Sequence, residues 1–98
     1  MIEVEIPSYT VIQYVRNKDN TPQGVIVALK KGNGFNIGYS LCNKKDKFDK
    51  SLALKIAIGR AQSDFESEKV RMVPQKIKNI VPSFLARCRK YYKLNMMG

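Results

Sequence analysis

Histidine and tryptophan are both absent from these 98 residues, and acids are scarce, with 8 Asp plus Glu against 18 Lys plus Arg. Without histidine the chain lacks the usual side-chain general base at neutral pH and the commonest zinc and copper ligand. Cysteine is limited to Cys42 and Cys88, far apart. That pattern reads as the reduced thiols of a cytosolic chain, with a Cys42–Cys88 disulfide as the alternative. Long apolar runs are missing too. The longest, Val25–Leu29, is far short of the ~18 residues of a membrane span. The N-terminus alternates Ile2, Val4 and Ile6 with Glu3 and Glu5, unlike the basic start and apolar stretch of a signal peptide. The expected location is therefore the cytoplasm, with no membrane partner. This length makes one domain, expected over residues 1–94 with a frayed tail at 95–98. A hydrophobic fraction of 44% is enough for a core, so disorder throughout is excluded.

The net charge of +10 is unevenly spread. Up to Ser40, Arg16, Lys18, Lys30 and Lys31 face Glu3, Glu5 and Asp19. From Lys69 to Gly98 the cations Lys69, Arg71, Lys76, Lys78, Arg87, Arg89, Lys90 and Lys93 meet no acid. Between them Lys44, Lys45, Lys47 and Lys50 crowd around Asp46 and Asp49. Such asymmetry points to a polyanionic partner; a merely soluble basic surface is the alternative.

The first 42 residues read as strands. Ile2–Ile6 is a short strand ending at Pro7, and Thr10–Arg16 is rich in β-branched residues and Tyr. Gly24–Lys30 is apolar on both faces and therefore central in the sheet. Lys31-Gly32-Asn33-Gly34 is a tight turn, and Phe35–Cys42 alternates Phe35, Ile37, Tyr39 and Leu41 with smaller residues. Near Asp46 the period changes to 3.6. Asp46 or Asp49 can cap a helix in which Leu54, Ala57, Ile58, Ala61 and Phe65 form one stripe. Leu52, Ile56, Gly59 and Ser63 form a second line, which predicts a helix sandwiched between the sheet and the C-terminal helix, with Gly59 at a close approach. The C-terminal segment places Ile77, Ile80, Val81, Phe84, Leu85, Cys88, Tyr91 and Tyr92 on one face. Pro82 within it predicts a kink or break near Val81. The expected fold is α+β: an antiparallel β-meander of three to four strands, then a central helix, then a Pro-kinked C-terminal helical segment.

No catalytic constellation stands out. Asp46 and Asp49 have the i, i+3 spacing of a carboxylate pair for a metal-dependent nuclease, but capping and solvation explain them. Ser40 and Ser51 have no histidine to activate them, and Cys42 ends an apolar strand as a core residue would. No cofactor, no metal and no enzymatic activity are expected. The Lys30–Gly34 hairpin lacks the spacing of a nucleotide loop, although Lys30 and Lys31 are secondary candidates for backbone phosphates. The basic face of the last helix suits phosphate contacts, with a solvated face as the alternative.

The stretch from Ile37-Gly38-Tyr39-Ser40-Leu41-Cys42 through Lys44-Lys45-Asp46-Lys47-Phe48-Asp49-Lys50 to Gly59-Arg60-Ala61 resembles small accessory proteins of tailed bacteriophages and prophages, over residues 35–62. The resemblance implies a phage accessory or host-takeover setting, hence the host cytoplasm, and carries over no functional residue.

The expectation is a small basic nucleic-acid-binding protein that contacts the phosphate backbone of DNA or RNA with little sequence reading. Lys44, Lys45, Lys47, Lys50 and Arg60, with Arg87, Arg89, Lys90 and Lys93, are the residues expected to neutralise phosphates. The alternative is a modulator that docks on an acidic surface of a host protein. Monomer and homodimer both fit, because an open sheet edge and a second apolar helix line invite pairing.

Overall fold

Residues 24–29 are apolar without interruption, and they form the centre of the middle strand. In the computed structural model, which describes residues 5–32, 34–42, 47–62 and 74–96, three strands form an antiparallel sheet in chain order. They are β1 (Val11–Arg16), β2 (Pro22–Lys31) and β3 (Gly34–Leu41), followed by the helices α1 (Lys50–Gln62) and α2 (Gln75–Met96). The fold is α+β, as the change of period near Asp46 predicts. Residues 1–4 of the expected first strand lie outside the described residues; Glu5 and Ile6 are in no strand, and Ile6 is 50% exposed. Among the described residues, no helix is long and apolar enough to cross a membrane.

Side chains alternate across β2. Val25, Val27 and Leu29 face α1, where they pack with Ala53, Leu54, Ala57, Ile58 and Ala61. Ile26 and Ala28 face α2 and pack with Val11, Val15, Ile77, Phe84, Cys88 and Tyr92. Each fully buried side chain of this size contributes roughly 1.5–3 kcal/mol. The sheet is therefore the sandwiched layer. The expectation of α1 between the sheet and the last helix is wrong, because a strand apolar on both faces needs a cover on each. The second line of α1 is left at the surface, with Leu52 42% and Ile56 37% exposed.

Close approach also falls on a different glycine. A Cβ at Gly38 in β3 would lie 2.2 Å from the Ala57 carbonyl oxygen and 2.5 Å from the Ala61 nitrogen. The bare strand lets α1 sit directly on the sheet. Gly59 has open space around it.

Helix α1 begins where Asp49 accepts from the Leu52 amide at 3.1 Å, an N-cap bond to the third helical residue. Of the kink or break expected near Val81 in α2, the break does not occur. The helix runs through Pro82, which is exposed, and the Ser83 hydroxyl donates to the Ile80 carbonyl at 3.0 Å. Proline removes only the bond to the Lys78 carbonyl, and a ring on the solvent side leaves the buried stripe of Ile77, Phe84 and Cys88 in phase. The helix also continues to Met96, past the expected tail boundary at Leu94.

The far end of α2 ties down the N-terminal segment. The Tyr92 hydroxyl lies 2.7 Å from the Tyr9 carbonyl oxygen and 3.1 Å from that of Ala28. Tyr9 holds φ at 61°, and the Phe35 ring stacks on Tyr92 at 5.2 Å. Both cysteines are free thiols, so the disulfide alternative falls; Cys88 is buried in the α2 core. Burial pushes the Cys88 thiol up from 9.0 to about 11, against the opposing pull of Arg87. Burial, then neighbouring Cys88 and Tyr91, pushes the Tyr92 hydroxyl up from 10.0 to about 12.

Two outcomes follow from this packing. Gly38→Ala is expected to lower unfolding free energy by about 3 kcal/mol through backbone overpacking. Gly59→Ala is expected to raise it by about 1 kcal/mol through helix propensity, both read by chemical denaturation. The pH dependence has a definite sign. The unfolded chain loses the Cys88 and Tyr92 protons before the folded chain does, so stability is full below pH 9 and falls as pH rises. Denaturation midpoints should drop from pH 9 to 12, and Tyr92→Phe should flatten the portion above pH 10.

Candidate functional site

The meander brings three chain segments to one end of the sheet: the β1–β2 connection, the end of β3 and the approach to α1. The connection is a tight loop. Asn20 donates to the Asn17 carbonyl at 2.9 Å and takes φ of 67°, while Asn17 donates to the Thr21 carbonyl at 2.9 Å. Asparagine tolerates this left-handed conformation better than most residues. Just beyond it the register slips, since Val15 pairs with Gly24 but Arg16 pairs with Pro22. Gln23 is the extra residue of that bulge, and a bulge re-aims its side chain.

Gln23 is buried and its amide donates to the Cys42 carbonyl at 3.3 Å. Its Oε1 accepts from the Lys76 ammonium, which also donates to Asn17 Oδ1 at 2.9 Å. Lys76 stands in the first turn of α2, so this polar cluster joins the sheet end to the last helix.

Around it opens a groove of about 1120 Å³. Arg16, Lys18, Lys47 and Lys76 line it, and among the described residues Asp19 is the one carboxylate that does. Asp19 is turned to its own loop, with Oδ1 accepting from the Thr21 hydroxyl at 2.7 Å and the Thr21 amide at 3.3 Å. The hydroxyl bond first, then the amide bond, holds its carboxyl below the usual range, so it is ionised at neutral pH. Arg16 donates to the Asn20 carbonyl at 3.1 Å. Tyr14 and Phe48 also line the groove, with ring centroids 6.5 Å apart and planes at 85°.

The cations singled out in the sequence fall in several places. Lys47 lines the groove. Lys50 sits next to it, its ammonium 5.2 Å from the Tyr14 ring centroid. Lys44, Lys45 and Asp46 lie outside the described residues, as does the side chain of Lys31. Arg87 reaches the free edge of β1, with Nη1 3.4 Å from the Ile12 carbonyl oxygen and 3.5 Å from Gln13 Oε1. Arg60 lies at the opposite edge of the sheet, donating to the Tyr39 carbonyl at 2.9 Å with its guanidinium 5.5 Å from that ring. Arg89, Lys90 and Lys93 are exposed on α2. At 1.5 Å per residue they stand roughly 20–25 Å along the axis from Lys76, and Arg89 is turned about 200° from Arg87. Lys30 is exposed at the other end of β2, roughly 23 Å from Gln23.

The described second-half cations thus do not gather into one patch. A groove forms instead from Arg16, Lys18 and Lys76, which the charge count alone passes over, together with Lys47. One signal in the sequence bears on it. In a meander the β1–β2 connection and the end of β3 share an end of the sheet, which puts Lys18 beside the approach to α1.

Among the described residues, no three His, Cys, Asp or Glu side chains come together. Asp49 is engaged as the α1 cap, and its expected metal partner Asp46 lies outside the described residues. If capping is its role, Asp49→Asn should leave stability unchanged and Asp49→Ala should lower it by about 1 kcal/mol, both read by thermal melts without added metal.

No family model, no curated protein and no solved structure matches this chain, so the groove's own chemistry is what bears on function.

Proposed function

We propose that this chain is a small non-enzymatic nucleic-acid-binding protein that holds a phosphodiester backbone in the groove at the sheet end. The supporting observation is four cations, Arg16, Lys18, Lys47 and Lys76, lining one concavity in which, among the described residues, Asp19 is the one carboxylate. Lys50, over the groove-lining Tyr14, adds charge on the α1 side, and Arg87 stands at the β1 edge on the α2 side. Lys44 and Lys45 belong to the proposed contact set on the sequence alone. Phosphate contacts of this kind position a nucleic acid without reading its bases. Arg60 and the outer row of Arg89, Lys90 and Lys93 are then peripheral, reached only by a long strand. The phage accessory setting and a host-cytoplasmic location fit this reading.

A second reading has one observation behind it: Leu52 and Ile56 stand exposed one turn apart on α1, beside Lys55. An acidic host protein surface would suit that face.

The test is fluorescence anisotropy on labelled DNA and RNA, single-stranded and duplex, across a salt series. Four phosphate contacts on a single strand give a log–log salt slope of about −3, and Lys76→Gln or Lys47→Gln should make it shallower by about one contact. Absence of binding to every form at low salt ends the nucleic-acid reading. A host protein that co-purifies after nuclease and high-salt washing favours the second.

A further inference from the structure

We infer that the groove takes unpaired nucleotides, so that the ligand is single-stranded nucleic acid rather than a duplex. This rests on the nucleic-acid reading above and specifies its ligand.

The floor of the groove carries the first part of the case. Lys76 is half-buried, and its ammonium bonds two neutral oxygens, Asn17 Oδ1 and Gln23 Oε1. An ammonium has three donors, and these partners take two without cancelling the charge. Gln23 is buried and fixed in turn by the Cys42 carbonyl, so the cation is held in place below the rim. A phosphate must enter the concavity to meet it. Duplex phosphates stand on a stiff outer surface and would reach only the exposed rim residues Arg16, Lys18 and Lys47.

The wall carries the second part. Tyr14 and Phe48 line the same concavity at right angles to one another, and Lys50 lies over the Tyr14 ring. Ring faces beside a cationic track are the means by which single strands are held, because an unpaired base offers a π-face that a duplex keeps within its own stack. The size agrees. At about 1120 Å³ the groove exceeds the roughly 300–1,000 Å³ of a small-molecule pocket, leaving room for more than one ring and its phosphate.

The absence of tryptophan supplies a clean probe. Phe48→Trp keeps a ring in the wall and makes it the sole indole of the protein. Oligo(dT), oligo(rU) and a duplex of equal length are titrated at one low salt concentration, reading indole emission and anisotropy. Single strands are expected to bind at least tenfold tighter than duplex and to quench the indole, whereas duplex leaves its emission unchanged. Phe48→Leu, which keeps apolar bulk but no stacking face, should lose roughly tenfold in single-strand affinity and nothing on duplex. The oligo(dT) and oligo(rU) arms separate DNA from RNA as the source of the strand. Duplex binding as tight as single-strand binding, or single-strand binding without quenching, overturns the inference while leaving the nucleic-acid reading intact. No binding by any form overturns both.

Discussion

The double burial of β2 governs where everything else can go. Val25, Val27 and Leu29 on one face and Ile26 and Ala28 on the other are all nearly inaccessible. A strand of that kind must be covered twice, and the chain has two helices with which to do it. Helix α1 takes one face and α2 the other, so the sheet stands between their cations. Lysines and arginines that crowd together in the second half of the sequence are separated in space by that requirement. The place where charges can converge is the end of the sheet, where neither helix closes over the strand termini and the β1–β2 connection, the end of β3 and the start of α2 come within reach of one another.

Two backbone irregularities turn this arrangement into a site. Gly38 lets α1 settle onto β3 at backbone contact, and Phe48, just ahead of α1, packs against the core that this contact closes. The bulge at Gln23 then breaks the alternation of β2 near its beginning. In regular register that side chain would follow the strand's alternation; as the extra residue it spans from the Cys42 carbonyl to the Lys76 ammonium. A buried amide with partners on both sides links β3, β2 and α2 and leaves no polar atom unsatisfied. The same contact that fixes α2 to the sheet end also positions the groove's deepest cation.

The strands, both helices and the central place of β2 could be read from periodicity, because burial on one or both faces writes directly into spacings of two and 3.6. The layer order could not. Leu52, Ile56 and Gly59 look like a second buried line on α1, yet they face solvent, because periodicity shows that a face is apolar without showing that anything covers it. Pro82 makes no break for a related reason: it sits outward on the helix, away from the stripe. The groove was the least visible feature. Arg16, Lys18 and Lys76 are scattered by up to 60 positions, and they come together only once the meander and a bulge of one residue are known. Lys47 was found because its neighbours in sequence are also basic.

The groove's charge has a structural explanation only in part, and that remainder is what argues for a ligand. Arg16 braces its own hairpin through the Asn20 carbonyl, and Lys76 locks α2 to the sheet end. Lys18 and Lys47 brace nothing among the described residues, yet they line the same concavity and add to the repulsion there. Among the described residues the concavity sets one carboxylate, Asp19, against four cations. Asp19 also accepts from Thr21 and Asp49 from the first turn of α1, so the backbone fixes where both negative charges sit. Clustered like charge in excess of its counter-charge destabilises the compact state. Solubility alone would be met as well by cations spread over the surface, as Arg89, Lys90 and Lys93 are, with no repulsion concentrated in a concavity. An anion entering the groove offsets that repulsion, and a flexible polyanion can meet the rim and the floor at once.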